Sequence, residues 1–261
     1  MKQTILTALQ IAGEELLKHF GQSIDFEIKE SQSNIVTKAD MKSDALIIEL
    51  IKERFPSHNI LSEESGFNNM HSIYTWVIDP LDGTSNFVSG LPWFGILIAL
   101  FENNTPIMGG AYLPTMDLLY FAEKGNGAFK NGQPFKMEQN KELKNSLFSF
   151  SVDYIEDEVI LSQSIAIYKN LVKAVRNIRS TNSLVDFLYV AEGKFGGCVN
   201  LFTKIWDISA LGLIISEAGG IMNDINGREI QYFLNESVID QNFAVIAGSE
   251  LILKELNSLV L

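Results

Sequence analysis

The sequence is short of cysteine, proline and positive charge, and each shortage excludes something. One cysteine, Cys198, stands in 261 residues, so no disulfide can form within the chain. With neither a Cys-x-x-Cys pair nor a Cys/His cluster, no ligand set for structural zinc exists. Cys198 reads as a small apolar core residue, and a chain without disulfides suits a reducing, cytoplasmic setting. Pro 6 and Gly 19 are too few for collagen or a low-complexity chain. Lys and Arg number 20 against 32 Asp and Glu, a net charge of -12. Such a surface repels phosphate backbones and anionic lipid, so neither nucleic acid nor a membrane is expected as a partner. No apolar stretch approaches the roughly 18 residues that span a bilayer; the strongest, Phe94 to Phe101, has the length of a strand. Histidine is scarce as well, with only His19, His58 and His71, and there is no Gly-x-Ser-x-Gly, which argues against serine-hydrolase chemistry.

What the chain has in quantity is apolar residue, 46% of the total, enough for a sizeable core. The length corresponds to one or two domains at about 150 residues each. Ile5, Leu9, Ala12, Leu16 and Phe20 recur at helical spacing, and Glu14, Glu15 and Lys18 interrupt any signal-peptide reading of the start. Ile24 to Lys29 alternates like a strand, and a second helix is expected from about Ala39 to Arg54, closed by Pro56. Asn59 to Leu61 reads as a short strand. Tyr74 to Asp79 has the pattern of a strand buried on both faces, stopping at Asp79-Pro80. Strands at Phe94 to Phe101, Ile107 to Leu113 and Leu118 to Glu123, then a hairpin at Asn131-Gly132, form an antiparallel meander. Gly125-Asn126-Gly127 is a turn rather than a dinucleotide fingerprint.

The polar stretch from Gln133 to Asn145 marks an expected domain boundary: residues 1–143 form an α+β half and 144–261 an α/β half. In the second half strands are expected at Leu147 to Ser151, Ala174 to Ile178, Gly197 to Leu201 and Phe243 to Ile246. Helices are expected at about Ile155 to Asn170, Ser183 to Glu192, Asp207 to Ala218 and from Ser249.

The acids gather at Trp76-Val77-Ile78-Asp79-Pro80-Leu81-Asp82-Gly83-Thr84. A buried strand ends in Asp79, and Asp82 follows at the mouth of a new helix. Two carboxylates on so tight a bend repel each other unless a cation lies between them or both face water. Carboxylates with the Leu81 carbonyl, and no His or Cys, suit a hard cation such as Mg²⁺. The Gly83 and Thr84 amides open a helix, where phosphate is attracted. Turn and N-cap chemistry is the plainer account of an isolated Asp-x-x-Asp. Three other acidic sites bear on the choice: Glu63-Glu64 after a strand, Asp207 between Trp206 and Ile208, and Asp40 at a helix start. A solvated face or a helix cap would account for each of them alone.

Together these blocks resemble a family. Glu63-Glu64-Ser65, Asp79 through Phe87, Trp206-Asp207 with Glu217-Ala218-Gly219-Gly220, Val36-Thr37-x-x-Asp40 and Glu123-Lys124-Gly125-x-Gly127-Ala128-Phe129 are similar, in order, to the motifs of the inositol monophosphatase family of Mg²⁺-dependent, lithium-sensitive phosphatases. The resemblance implies a layered αβαβα sandwich, usually a homodimer. It implies Glu63, Asp79 and the Leu81 carbonyl on one Mg²⁺, with Asp79, Asp82 and Asp207 on a second and a third, weaker ion near Glu63 in some members. It implies that Thr84 and Asp40 position and deprotonate the attacking water, and that Gly83-Thr84 cradle the phosphate, with Leu81 and Asp82 also on the substrate. Two clustered cations would activate the nucleophile and stabilise the leaving oxygen of an in-line displacement, with no phosphoenzyme. Asp79 and Asp82 stand one residue too far apart for the Asp-x-Asp motif of haloacid dehalogenase-like phosphatases.

The expected substrate is a small phosphorylated metabolite, inositol 1-phosphate or a related sugar or polyol phosphate. Fructose 1,6-bisphosphate, histidinol phosphate, 3′-phosphoadenosine 5′-phosphate and NADP are the family's other choices. Thr181-Asn182-Ser183 and Asn200 stand where inositol-specific members carry a Gly-Ser/Thr-Ala stretch and an acid. An amide bonds a hydroxyl but lacks the charge that strengthens the bond. A non-catalytic interaction protein on this fold is the alternative of another class.

Overall fold

The computed structural model describes every residue except 23–24, 30, 33, 140–141 and 261, and leaves the side chains of 257–260 undescribed. The Ile24 end of the first expected strand therefore lies outside the described residues, as do Asn140 and Lys141 of the polar stretch.

The chain begins with α1 (Lys2–His19), a two-stranded ribbon of β1 (Phe26–Ile28) and β2 (Ile35–Thr37), and α2 (Lys38–Arg54). Next come β3 (Asn59–Ser62), β4 (Gly66–Asn68), β5 (Tyr74–Asp82) and the short α3 (Thr84–Val88). The meander follows as β6 (Gly95–Glu102), β7 (Thr105–Leu113), β8 (Leu118–Glu123), β9 (Gly127–Lys130) and β10 (Gln133–Phe135). The second half contains β11 (Leu147–Ser151), α4 (Glu158–Ala174), β12 (Asn177–Arg179), α5 (Leu184–Ala191), β13 (Gly197–Thr203) and α6 (Ile205–Glu217). It ends with β14 (Ile221–Asp224), β15 (Phe243–Gly248) and α7 (Glu250–Val260).

Strands β3 to β10 form an eight-stranded sheet in the order β10-β9-β8-β7-β6-β5-β3-β4, and the later strands a five-stranded sheet in the order β12-β11-β13-β15-β14. Helices α1 and α2 cover one face of the large sheet, α5 and α6 lie between the sheets, and α4 and α7 cover the far face of the small one. This is the expected αβαβα order of layers. The period of two along each strand divides the core. In β6, Ile96, Ile98 and Leu100 face α1 and α2, while Leu97, Ala99 and Phe101 face α6, which is why its sequence is an unbroken apolar run. Gly109 and Gly110 of β7 let a helix approach on each side: a Cβ would meet the Ala210 carbonyl of α6 at 2.9 Å and Ile5 of α1 at 2.6 Å, respectively.

Several boundaries move. β1 is short and wholly exposed, so its apolar residues are not the half-buried face that the alternation suggested. α4 starts at Glu158 rather than Ile155 because Asp157 caps it, accepting from the Val159 and Ile160 amides at 2.8 and 3.1 Å. It runs on to Ala174, and β12 correspondingly starts at Asn177 instead of Ala174. β5 does not stop at Asp79-Pro80. Its ladder to β6 breaks between Asp79 and Asp82 and resumes at Asp82↔Gly95, since Pro80 has no N–H to pair and the chain bulges around it.

Candidate active site

That bulge sets the geometry. Asp79 is buried, at 2% exposure, and its Oδ1 accepts the Leu81 amide at 3.1 Å. Asp82 is the last residue of β5, at the mouth of α3, which opens at Thr84. Gly83 follows with φ 83°, and a Cβ there would meet the Trp93 carbonyl oxygen at 2.7 Å. Only glycine lets this turn sit so close to the loop that leads into β6. Asn86 then ties the turn to the second half by donating to the carbonyls of Trp93 and Thr181 at 2.9 and 2.8 Å.

Asp207 comes to the same point from α6. Its Oδ2 accepts the Lys204 amide at 2.7 Å, so it occupies the third position of the helix and closes a capping arrangement there. Capping and site membership are thus two uses of one carboxylate. Ligand atoms of Asp79, Asp82 and Asp207 lie within 4.8 Å of one another. Each spends one oxygen on a backbone amide, Asp82 on Leu184 at 2.6 Å, which fixes its rotamer and leaves the other oxygen for the site.

Among the described residues no Lys or Arg forms an ion pair with these three acids. Burial first, then Glu63, Asp82 and Asp207, push the Asp79 carboxyl well above the usual range. Burial, then Asp82 and Glu63, do the same to Asp207. Burial and the neighbouring acids push Asp82 up to about 7. An all-oxygen donor set, with Asp79 buried and Asp82 and Asp207 half-buried and no counter-charge among the described residues, fits a hard divalent cation. The three carboxylates could hold it, with the Leu81 carbonyl beside them.

Near the triad stands a hydrogen-bonded pair, Asp40 and Thr84. Thr37 caps α2, and Asp40, third in that helix, returns the favour: its Oδ2 accepts the Thr37 amide at 2.9 Å and the Thr37 hydroxyl at 2.5 Å. Its Oδ1 faces the Thr84 hydroxyl at 3.1 Å, which also lies 2.9 Å from the Leu81 carbonyl. One hydroxyl hydrogen serves these two acceptors in turn. Burial raises the Asp40 carboxyl to about 6 against the pull of its Thr37 bonds. Thr84 lines the cavity and Asp40 does not.

Glu63 is on the rim. It lines the same cavity, of about 410 Å³, but is not part of the tight triad, and its Oε1 accepts from Lys29 at 3.1 Å. Glu64 takes the other side of that ammonium at 2.5 Å, and burial together with Glu63 raises its carboxyl to about 7. No motif pointed to Lys29, because its partners lie more than thirty residues away along the chain.

On the facing wall Asn182, Ser183 and Asn200 line the cavity, while Thr181 is not among its lining residues. Asn200 spends its Oδ1 on the Phe202 amide at 3.1 Å. The amides of Thr181 and Asn182 point to Asp186, buried on α5, at 3.1 Å each. Asn182, at φ 50°, donates its side-chain amide to Asp153 at 2.8 Å. Asp153, Lys204 and Asn242 also line the cavity and were not singled out from sequence. Asp153 follows a strand of apolar and serine residues with nothing local to mark it. Glu217, by contrast, is far from the acids. It accepts the Gly125 and Gly127 amides at 2.8 Å each, so two of the recognised blocks staple α6 to the β8–β9 turn.

Comparison with known proteins places the chain in a family. A sequence model of the inositol monophosphatase family matches residues 1–260. A protein of Aquifex aeolicus described as fructose-1,6-bisphosphatase/inositol-1-monophosphatase is 37% identical over 216 residues, covering 81% of each chain. A Pasteurella multocida protein described as Nus factor SuhB is 34% identical over 230 residues, covering 87% of this chain and 86% of that one. The crystal structure of the extragenic suppressor protein suhB from Bartonella henselae superposes with a TM-score of 0.89 at 27% identity, covering 99% and 97% of the two chains.

Proposed function

The chain belongs to the inositol monophosphatase family, and from that premise we propose that it hydrolyses a small phosphomonoester, inositol 1-phosphate or a related sugar or polyol phosphate, with Mg²⁺. The observation that carries the proposal is the convergence of Asp79, Asp82 and Asp207 beside the Thr84–Asp40 pair. Bound Mg²⁺ would supply positive charge to lower the pKa of the attacking water and to neutralise charge on the phosphoryl oxygens.

The chain's own groups do the rest. Thr84 stands between the cavity and the buried Asp40, so its hydroxyl orients a water by accepting its proton while passing its own to Asp40 Oδ1. A carboxyl raised to about 6 by burial is a stronger base than an exposed one and still ionised at neutral pH. The Gly83 and Thr84 amides cradle the phosphate, with Leu81 and Asp82 beside them. Asn182, Ser183 and Asn200 meet the alcohol portion, and Glu63 serves a metal at the rim. Two ions are expected, with a third at Glu63, and the active particle is expected to be a homodimer in the cytoplasm, inhibited by lithium.

A second reading rests on the SuhB-named relatives: the same fold serving as an interaction surface without turnover. Phosphate release with Mg²⁺, with and without Li⁺, separates the two across inositol 1-phosphate, fructose 1,6-bisphosphate, histidinol phosphate and 3′-phosphoadenosine 5′-phosphate. Strong release from the inositol or sugar phosphates that vanishes with chelator is expected. Equal, trace release from all four overturns the enzymatic reading.

A further inference from the structure

Two adjacent residues of α2 hold the two turns from which the acids project. Ser43, fully buried, donates its hydroxyl to the Pro80 carbonyl at 2.7 Å and so grips the bulge that carries Asp79. Asp44, at 2% exposure, does not line the catalytic cavity. Its carboxylate reaches the β3–β4 turn, where Oδ1 accepts the Ser62 hydroxyl and Oδ2 the Ser65 hydroxyl. Ser62 and Ser65 flank Glu63-Glu64, so one side chain clasps both feet of the turn that presents Glu63.

The choice of residue is informative. Asp40, Glu63 and Glu64 already crowd this region with acids, and a fourth adds like charge. A neutral amide would add none, but it offers one acceptor oxygen where a carboxylate offers two, and two hydroxyl donors must be met. The β3–β4 ladder closes the turn at Ser62↔Gly66, and the Glu63 amide bonds the Ile78 carbonyl at 3.1 Å. The backbone is thereby anchored to β5, and the carboxylate clasp sets how the turn is pitched toward the triad.

We propose that Asp44 is a positioning residue for metal binding: acting through Ser62 and Ser65, it holds the Glu63 turn at the distance from the triad where Glu63 can serve a divalent cation. This rests on the metal-dependent reading above. Partners that orient a ligand from behind typically change metal affinity by about 10- to 100-fold. The effect of loosening the clasp therefore belongs in Mg²⁺ affinity, with turnover recovered at saturating Mg²⁺.

Mg²⁺ isotherms by calorimetry and melting curves in chelator test this on the full chain. Asp44→Asn halves the acceptor set, Ser65→Ala opens one prong at an exposed position, and Glu63→Gln removes the presented ligand. About 10-fold weaker Mg²⁺ binding is expected for Asp44→Asn and Ser65→Ala, with the chelator melting point of Ser65→Ala unchanged. In the Glu63→Gln background, Ser65→Ala should add nothing, because it acts through Glu63. Weak binding in Glu63→Gln with wild-type isotherms in both other variants overturns the clasp alone. Wild-type isotherms in all three overturn Glu63 as a ligand and the clasp with it. Full additivity of Ser65→Ala and Glu63→Gln also overturns it.

Discussion

Two groups of buried and half-buried acid are treated differently by the fold. At the end of α5, Glu192 accepts the Tyr120 hydroxyl at 2.6 Å, Lys130 at 2.6 Å and Lys194 at 3.1 Å. Burial works against its charge, but Lys130, Tyr120 and Lys194 outweigh it and hold the carboxyl below its usual value. At the bulge of β5, ligand atoms of Asp79, Asp82 and Asp207 gather within 4.8 Å of one another, and each carboxyl is raised. The chain can neutralise a buried acid with lysine and does so at Glu192. Among the described residues no lysine does the same at the triad, where protons or a small cation bound by the proposed ligand set would have to offset the clustered charge.

Asp79→Asn should give the largest contrast. It preserves the shape and an acceptor for the Leu81 amide but removes a ligand. If bound cations supply about 4 kcal/mol of transition-state stabilisation, Mg²⁺-dependent phosphate release falls by about 10³-fold. In chelator the same variant should melt higher than the wild type, because a repelling, desolvated acid has gone. Retained turnover in Asp79→Asn, measured beside its melting curve, would break the comparison at its strongest point.

The pH dependence without metal comes next. Asp82 is raised to about 7, with Asp79 and Asp207 also raised, whereas the unfolded carboxyls titrate near 4. Between those values the folded chain holds protons that the unfolded chain has lost, so stability falls as pH rises through about 4 to 7. Saturating Mg²⁺ needs the deprotonated acids and opposes this trend. The gap between melting points in Mg²⁺ and in chelator should therefore widen from pH 5.5 to pH 8 by several degrees. Taking the gap cancels acids elsewhere, such as Glu192, which titrate in both conditions alike. A gap that does not change with pH would mean that the triad is already neutralised within the chain.

Much of the contrast was legible along the chain because strand periodicity and turn residues are local. Asp79-Pro80-Leu81-Asp82 could be placed at the end of a doubly buried strand, since Tyr74 to Asp79 has no polar alternation. The bulge was not legible, because it depends on pairing with Gly95, which only the folded sheet supplies. Asp40 was read as a cap or as Thr84's partner on the attacking water, and Asp207 as a cap or a ligand; one oxygen of each is spent on a cap, and the other Asp40 oxygen accepts the Thr84 hydroxyl. Lys29, Asp153 and Asp186 left no local mark, as their partners are distant in sequence. β14 escaped notice because its four residues are all half-buried and show no alternation. Glu217 stood in a recognised block with no role assigned to it, and the fold makes it a staple to Gly125 and Gly127 some ninety residues away.

Glu192→Gln should have the smallest effect and bears on the other half of the comparison. Gln keeps the shape and one acceptor oxygen, so Tyr120 retains a partner, but Lys130 loses the charge it was paired with. The Glu192 side chain is 13% exposed and that of Lys130 26%, so part of the loss is returned by water. A cost of about 1–2 kcal/mol follows for charge-assisted bonds at a site of this kind, or a fall of a few degrees in melting temperature for a chain of this size. Because the bonded folded carboxyl sits below its unfolded value, its contribution is present above about pH 4.5 and is lost as pH falls through the folded pKa. The wild type and Glu192→Gln should therefore differ near neutrality and converge in acid, while Mg²⁺ isotherms and phosphate release stay at wild-type level. A change in either of those readouts would show that the two groups of acids are linked through α5, whose N-terminal Leu184 amide holds Asp82 at 2.6 Å.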